Sequence, residues 1–363
     1  MANDPFPGLG EYLVGRFGPE AATASVAPLG GKAAGGKEGG YGSPYRVSWQ
    51  TGGRTRTMVL ETVRPGGFGH EDRSDRAGNL LRAFDEYGEL ARHVAAVDVG
   101  AFAAGGPAVS LGGAGEFFIL TDFVEGEPYA GDFDRIAAAG RVDDLDCARA
   151  VALADYLAGI HAEPATHPTW YRRRLRELTG SGECLAGVAD SYPVPRGFLD
   201  ASLLEQVERL ALAWRYRLRD RGDRLRTIHG DFHPWNILFR SGTDFTLLDR
   251  SRGALGDPAD DVASLSVNFL FYALRTRGGF DGPFAELLRL FWSRYTERSG
   301  DIELPAVMAP HFAFRALVVA SPVWYPGESD EVRRKLFRFL LSVLEADRFE
   351  IERIPEYLAR RAP

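Results

Sequence analysis

Lysine is nearly missing from this chain of 363 residues: Lys32, Lys37 and Lys335 are the only three among 43 basic residues. A site that needs a lysine at a fixed place therefore has few candidates. Cysteine is as scarce. Cys147 and Cys184 are the only two, their spacing fits no zinc motif, and a disulfide framework is excluded as the basis of the fold. Two packed thiols in a reduced, cytoplasmic setting are expected. No basic segment followed by an apolar run opens the sequence, so no secretory leader is read. The most apolar stretches, such as VASLSVNFLFYAL at 262–274, fall short of the roughly 20 residues of a membrane span and are expected to be buried helices. A dominant positive field is missing too. The formal net charge is −7, which argues against nucleic acid as a partner and makes cationic or neutral small molecules easier to accommodate.

What is present is an ordinary globular composition, 45% hydrophobic and 26% charged, in a chain longer than a single core usually supports. Two lobes are expected. The first is read as residues 1–121. Glycines crowd 28–53 (LGGKAAGGKEGGYGS), then YRVSW and TMVLETV alternate about Gly52-Gly53 as an antiparallel hairpin. Residues 73–91 place Leu80, Leu81, Phe84, Tyr87 and Leu90 at helical spacing, with Glu86 and Glu89 on or beside the buried edge. HVAAVDVGAF (93–102) and GEFFILTDF (115–123) read as further strands, giving about five strands and one helix. A linker follows at 122–126, and from 127 to 363 helical patterns dominate, including 147–162, 202–220 and 331–349.

The chemistry concentrates at 228–265, IHGDFHPWNILFRSGTDFTLLDRSRGALGDPADDVASL. Asp231 and Asn236 share one loop. NILFR and DFTLLD form two strands about Ser241-Gly242, ending at Asp249. Such a loop and hairpin would gather Asp231, Asn236 and Asp249 at one end, and hard oxygen ligands beside a carboxylate suit magnesium. In phosphoryl transfer, Asn236 and Asp249 would hold that metal and Asp231 would accept the proton of an acceptor hydroxyl. A polar loop whose aspartates only make turns is the bland alternative. His229 and His233 read better as loop-shaping residues than as metal ligands, since neither has a Cys or His cluster around it. His161 and His167 read as a helix-end and a loop residue, and the arginines of YRRRLRE (171–177) as a solvated helix face. In GDPADD, Asp257 can cap a helix, Pro258 fits its first turn and Asp260 adds charge suited to an N-terminus.

The stretch resembles the aminoglycoside phosphotransferase and choline kinase superfamily, relatives of the protein kinases. The H-G-D-x-H-x-x-N pattern is met by His229, Gly230, Asp231, His233 and Asn236, and the later aspartate and G-D-P-x-x-D element by Asp249, Gly256, Asp257, Pro258 and Asp261. The resemblance implies a protein-kinase-like α+β fold with a β-rich N-lobe and a mainly helical C-lobe. It also implies ATP or GTP as co-substrate, Mg2+ as metal and a small-molecule alcohol as acceptor. Asp231 becomes the base, Asn236 and Asp249 the metal ligands, and the Asp122–Val124 backbone the adenine contact; His229, His233, Asp257 and Asp261 support the site.

The departure from the pattern lies on the third strand, where kinases carry a lysine paired with a helix glutamate. Glu61 stands there. Lys32 or Lys37 from the glycine-rich loop, Arg46 or Arg64 are the possible substitutes; Lys37 is preferred, with Glu86 or Glu89 to orient it. GKAAGGKE is not a P-loop, because Glu38 replaces the metal-binding hydroxyl. Glu61 keeps open a pseudoenzyme that binds nucleotide or metabolite, and nucleotidyl transfer is a third reading. Arg250 and Arg252 face phosphate or pair with Asp260 or Asp261. The acceptor and the oligomeric state have no signature.

Overall fold

The structure is a computed structural model that describes residues 6–29, 42–89, 91–103, 106–167 and 169–359. The chain divides into two compact units, Met1–Thr121 and Asp122–Pro363. Lys32 and Lys37 lie outside the described residues.

The first unit contains helix α1 (Leu9–Phe17), strands β1 (Ser25–Pro28), β2 (Gly42–Thr51) and β3 (Arg54–Val63), helix α2 (Arg73–Glu86), and the short strands β4 (Gly100–Ala101) and β5 (Val109–Ser110). The β2–β3 hairpin expected from the sequence forms in antiparallel register, with Thr51 opposite Arg54. Gly52 and Gly53 make its turn at φ 56° and 72°, left-handed values that glycine adopts without Cβ strain and that match the strand twist. β1 adds on the far side of β2. Val47 and Trp49 point to one face, where Leu9 and Leu13 of α1 and Ala21 close a small core. Arg46, Val59 and Glu61 are exposed.

Two expectations fail here. Of 93–102, only Gly100–Ala101 is a strand, paired with Val109–Ser110, and 115–123 forms no strand. Phe118, Ile119 and Leu120 are all more than 80% exposed. An apolar run becomes a strand only when a neighbouring edge satisfies its backbone, and periodicity does not identify that edge. Helix α2 forms, capped reciprocally by Asp72 and Asp75, but buries none of its residues. Glu86 and Glu89 are exposed at its end rather than on a buried edge.

The second unit is mainly helical: α3 (Tyr129–Ala139), α4 (Asp144–Ile160), α5 (Trp170–Gly180), α6 (Leu185–Asp190), α7 (Ala201–Leu218), α8 (Ala259–Arg277), α9 (Gly282–Ser299), α10 (Ala309–Ala320), α11 (Asp330–Glu345) and α12 (Ile354–Ala359). Short strands interrupt it: β6 (Glu127–Pro128), β7 (Arg226–Thr227), β8 (Ile237–Phe239), β9 (Phe245–Leu247) and β10 (Leu255–Gly256). Helix α8 is the axis. Every residue from Ala259 to Leu274 is buried, so the helix is enclosed by neighbours on all sides and its polar residues, Asp260 and Asp261 among them, need partners within the protein. Those neighbours include α3, α9, α10 and α11. Phe133 of α3 stacks on Phe269 of α8 with centroids 5.0 Å apart, and Tyr129 meets Phe239 of β8 edge-on at 5.2 Å. This aromatic layer ties β8, and hence the loop before it, to the core.

The expected helix at 262–274 is thus the central helix, and mixed helix and strand in two units is the kinase-like α+β class. Among the described residues, no helix is long and apolar enough to cross a membrane. Cys147 and Cys184 are free and partly buried, and burial raises both thiol pKa values.

Candidate active site

The loop between β7 and β8 is shaped from below by Asp261. Its carboxylate accepts the backbone N–H groups of His229 and Gly230, each at 2.7 Å, and also faces Nε2 of His161 at 3.2 Å. Nδ1 of His161 meets the Tyr295 hydroxyl at 2.9 Å. His161 is therefore a buried strut between α4, α8 and α9, beyond the helix-end role read from sequence. Gly230 sits at φ 89°, and a Cβ there would lie 3.3 Å from that of Arg252, so both conformation and space favour glycine. His229 accepts the Asp231 N–H at 3.3 Å. His233 accepts the Trp235 N–H at 3.2 Å, starting the 3-10 turn Pro234–Asn236.

That turn delivers Asn236 to Asp231. The Asn236 side-chain amide donates to the Asp231 backbone carbonyl at 3.1 Å, while the Asn236 backbone carbonyl accepts the Leu248 N–H at 2.9 Å. The β8–β9 ladder, with Ile237 opposite Leu247, then places Asp249 just beyond. Asp249 adopts φ 49°, unusual for a non-glycine residue but tolerated by aspartate, whose Oδ1 accepts the Ser251 N–H at 3.1 Å. Its side chain is exposed and makes no ion pair among the described residues. Asn236 and Asp249 thus offer oxygen atoms of the hard kind that can hold a magnesium ion. Among the described residues, no three His, Cys, Asp or Glu side chains form a metal-binding group.

Asp231 itself is buried, 8% exposed, and surrounded by positive groups. Arg315 of α10 donates to its Oδ1, Arg252 Nε lies 3.4 Å from Oδ2, and His233 Nε2 lies 3.7 Å from the same oxygen. Burial alone would raise the Asp231 pKa, but Arg315, then Arg252 and His233, outweigh it and hold the carboxyl below its ordinary value. Burial in turn lowers the His233 pKa, against the pull of Asp231.

Around this centre the charges are paired in a network. Asp260 accepts from Arg315 at 2.8 Å and lies 3.5 Å from Arg174. Asp257 takes a bidentate pair from Arg224 at 2.8 and 2.9 Å, a hydrogen bond from Tyr171 at 2.8 Å, and the Ala259 N–H at the start of α8 at 3.0 Å. Asp301 closes the other side of Arg224 at 2.8 and 2.9 Å. Two sequence expectations are corrected by this network. Arg250 donates to the Ile228 and Ala254 carbonyls and Arg252 approaches Asp231, so neither pairs with Asp260 or Asp261. Of the 172–174 run, Arg172 is exposed, but Arg173 is buried and Arg174 half-buried, so this is no solvated face: the aliphatic stems pack while the heads find carboxylates. Arg315 was not singled out from sequence. A lone charge in the apolar run APHFAFRALVVA was the available signal, since a buried arginine demands a partner.

Of the other candidates, Asp122 is exposed and Val124 half-buried in a segment without strand structure. Glu86 makes no ion pair among the described residues, and Lys37 lies outside them.

The family model of the phosphotransferase enzyme family matches residues 40–298. The chain belongs to this family. The match spans every residue of the loop and hairpin just described, and stops short of α10. No curated protein matches. Among solved structures, an amicoumacin kinase in complex with AMP-PNP, Ca2+ and Ami is 14% identical, with 91% of each chain covered and a TM-score of 0.39. An ethanolamine kinase of Plasmodium vivax is 10% identical over 96% of this chain and 85% of that one, at 0.36. A glucosamine kinase bound to glucosamine, ADP and inorganic phosphate is 19% identical over 60% of this chain and 57% of that one, at 0.32. Family membership rests on the sequence match, not on these low scores.

Proposed function

We propose that this phosphotransferase moves the γ-phosphoryl group of ATP or GTP onto a hydroxyl of a small molecule. The observation that carries the reading is the joining of Asp231, Asn236 and Asp249 by one loop and one two-stranded ladder, with Asp249 exposed and in no ion pair among the described residues. Asp231 is the base, Asn236 and Asp249 are the metal ligands, and the Asp122–Val124 backbone and Lys37 belong to the nucleotide site. His229, His233, Asp257 and Asp261 hold the loop.

In the reaction, the bond from the γ-phosphorus to the bridging oxygen of the nucleoside diphosphate breaks, and a new bond forms to the acceptor oxygen. The acceptor proton passes to the Asp231 carboxylate, leaving a phosphomonoester and the diphosphate. A magnesium ion, when bound, supplies charge neutralisation across the phosphates. A carboxylate held by arginines is a weak base, which suits a loose transition state in which the proton leaves late. Asp231 then acts mainly by orienting the hydroxyl.

The test is incubation of the full chain with Mg-ATP or Mg-GTP and a panel of amino sugars, amino alcohols and neutral sugars, with products read by 31P NMR. A phosphomonoester that depends on Asp231 supports the reading; nucleotide binding without turnover on any acceptor refutes it. The exposed Glu61, in place of a third-strand lysine, favours a nucleotide-binding pseudoenzyme as the second reading, and that second outcome is its signature.

A further inference from the structure

Arg315 is anchored through both terminal nitrogens, while its buried Nε has no hydrogen-bond partner among the described residues. Its guanidinium donates to Asp231 Oδ1, to the Gly230 carbonyl at 2.7 Å and to Asp260 Oδ1 at 2.8 Å, and it is 6% exposed. It reaches the loop from α10, beyond the residues that the family model matches. Helix α10 is packed against α8 and α11, so the head of Arg315 is held from both ends: by its helix and by Asp260 on α8. Arg252 differs. It meets the other Asp231 oxygen only at 3.4 Å, its side chain is 22% exposed, and its other contacts include the Glu183 carbonyl at 3.0 Å, the Cys184 Sγ at 3.7 Å and the Phe314 ring.

The two oxygens of Asp231 are thus unequal. From this geometry we propose that Arg315 is the positioning residue of the base: it fixes Oδ1 and the Gly230 carbonyl together, so that Oδ2 is the oxygen offered to the acceptor hydroxyl. Arg252 is the exchangeable partner of Oδ2 and yields it when the acceptor arrives. The inference rests on the reading of Asp231 as base. Fixing one oxygen leaves the carboxylate a single direction in which to accept, which turns a side chain with free χ2 rotation into an oriented acceptor. A planar fork that spans a carboxylate and a carbonyl does this, and a lysine point charge does not.

The groups facing Asp231 are Arg315 from α10, Arg252 from the loop after β9 and His233 from its own loop, with Asp260 of α8 behind Arg315. The experiment measures ADP release from Mg-ATP, with the same panel of acceptors and with water, for the full chain as wild type, Arg315→Gln, Arg315→Lys and Arg252→Gln. Arg315→Gln should lower turnover roughly 10- to 1,000-fold with nucleotide KM within about twofold, Arg315→Lys should recover only part of that loss, and Arg252→Gln should lower turnover least. If Arg315→Gln does not fold, Arg315→Lys carries the test. Turnover within about twofold of wild type in the variant that folds, or a loss confined to KM, overturns the assignment of Arg315. No ADP release by the wild type with any acceptor instead overturns the reading of Asp231 as a base, on which the inference rests.

Discussion

Asp261 and Gly230 are joined by a 2.7 Å hydrogen bond from the glycine N–H to the aspartate Oδ1, while Oδ2 takes the N–H of His229 at the same distance. One carboxylate at the start of α8 therefore closes the turn that presents Asp231. Asp261→Asn replaces an acceptor oxygen by an N–H donor facing another N–H. We expect a loss of about 2–3 kcal/mol in urea unfolding, the cost of a buried donor left unpaired. A loss below about 0.5 kcal/mol would show that the turn closes without Asp261.

The Arg224–Asp257 pair is buried on both sides, at 5% and 2% side-chain exposure, and Asp301 adds a second carboxylate. Removing the arginine by Arg224→Met leaves Asp257 charged without its main partner, and should cost about 3–5 kcal/mol. The exposed Arg240–Asp244 pair provides the contrast: Arg240→Ala should leave the unfolding midpoint nearly unchanged. Equal shifts in the two unfolding midpoints would contradict this ranking.

Acid should destabilise the second unit in a defined window. Burial alone would raise the Asp260 pKa, but Arg315, His311 and Arg174 outweigh it and lower it to about 2; Asp257 and Asp231 are lowered as well. Their charged forms are favoured by folding, so the stabilisation is complete above the unfolded carboxylate value near 3.8 and is lost as pH falls from there towards 2. For Asp260 the change amounts to about 2 kcal/mol. Unfolding monitored between about pH 5 and about pH 2 should show the decline, and Asp260→Asn should flatten it. A wild-type curve level across that range would contradict the prediction.

Asp231→Asn and Asp249→Ala should separate chemistry from metal binding. The first should reduce turnover by roughly 100- to 10,000-fold with nucleotide affinity nearly unchanged. The second should weaken nucleotide binding when magnesium is present and leave the metal-free affinity alone. Calorimetric titration with and without magnesium reads both, and nucleotide binding lost in Asp231→Asn would reverse the assigned roles.

Lys37 is proposed to replace the third-strand lysine at the nucleotide phosphates. Lys37→Ala should weaken Mg-ATP binding well beyond Lys32→Ala, because a phosphate-bound cation in a dry cleft acts in a low dielectric and a solvated one does not. Equal, small effects of the two changes in a thermal-shift titration would leave Arg46 or Arg64 as the cation.

Much of the second unit was legible from residue order alone. The hairpin about Ser241-Gly242, the capping of α8 near Asp257 and the buried character of 262–274 are local consequences of spacing, turn chemistry and apolar periodicity, and these need no distant partner. The loop from His229 to Asn236 and its family membership are legible for the same reason, since all the matching positions lie within a short stretch. What sequence order could not decide was which charges meet. Arg315 reaches Asp231 across 84 positions, His161 reaches Asp261 across 100, and Arg224 meets both Asp257 and Asp301. In a chain with 43 basic and 50 acidic residues, composition permits very many such pairs, and only the packing of α10 against α8 and of α4 against α9 selects among them. The same limit explains 115–123: its residues are apolar enough for a strand, but a strand exists only where an edge accepts its hydrogen bonds, and that is decided by tertiary structure.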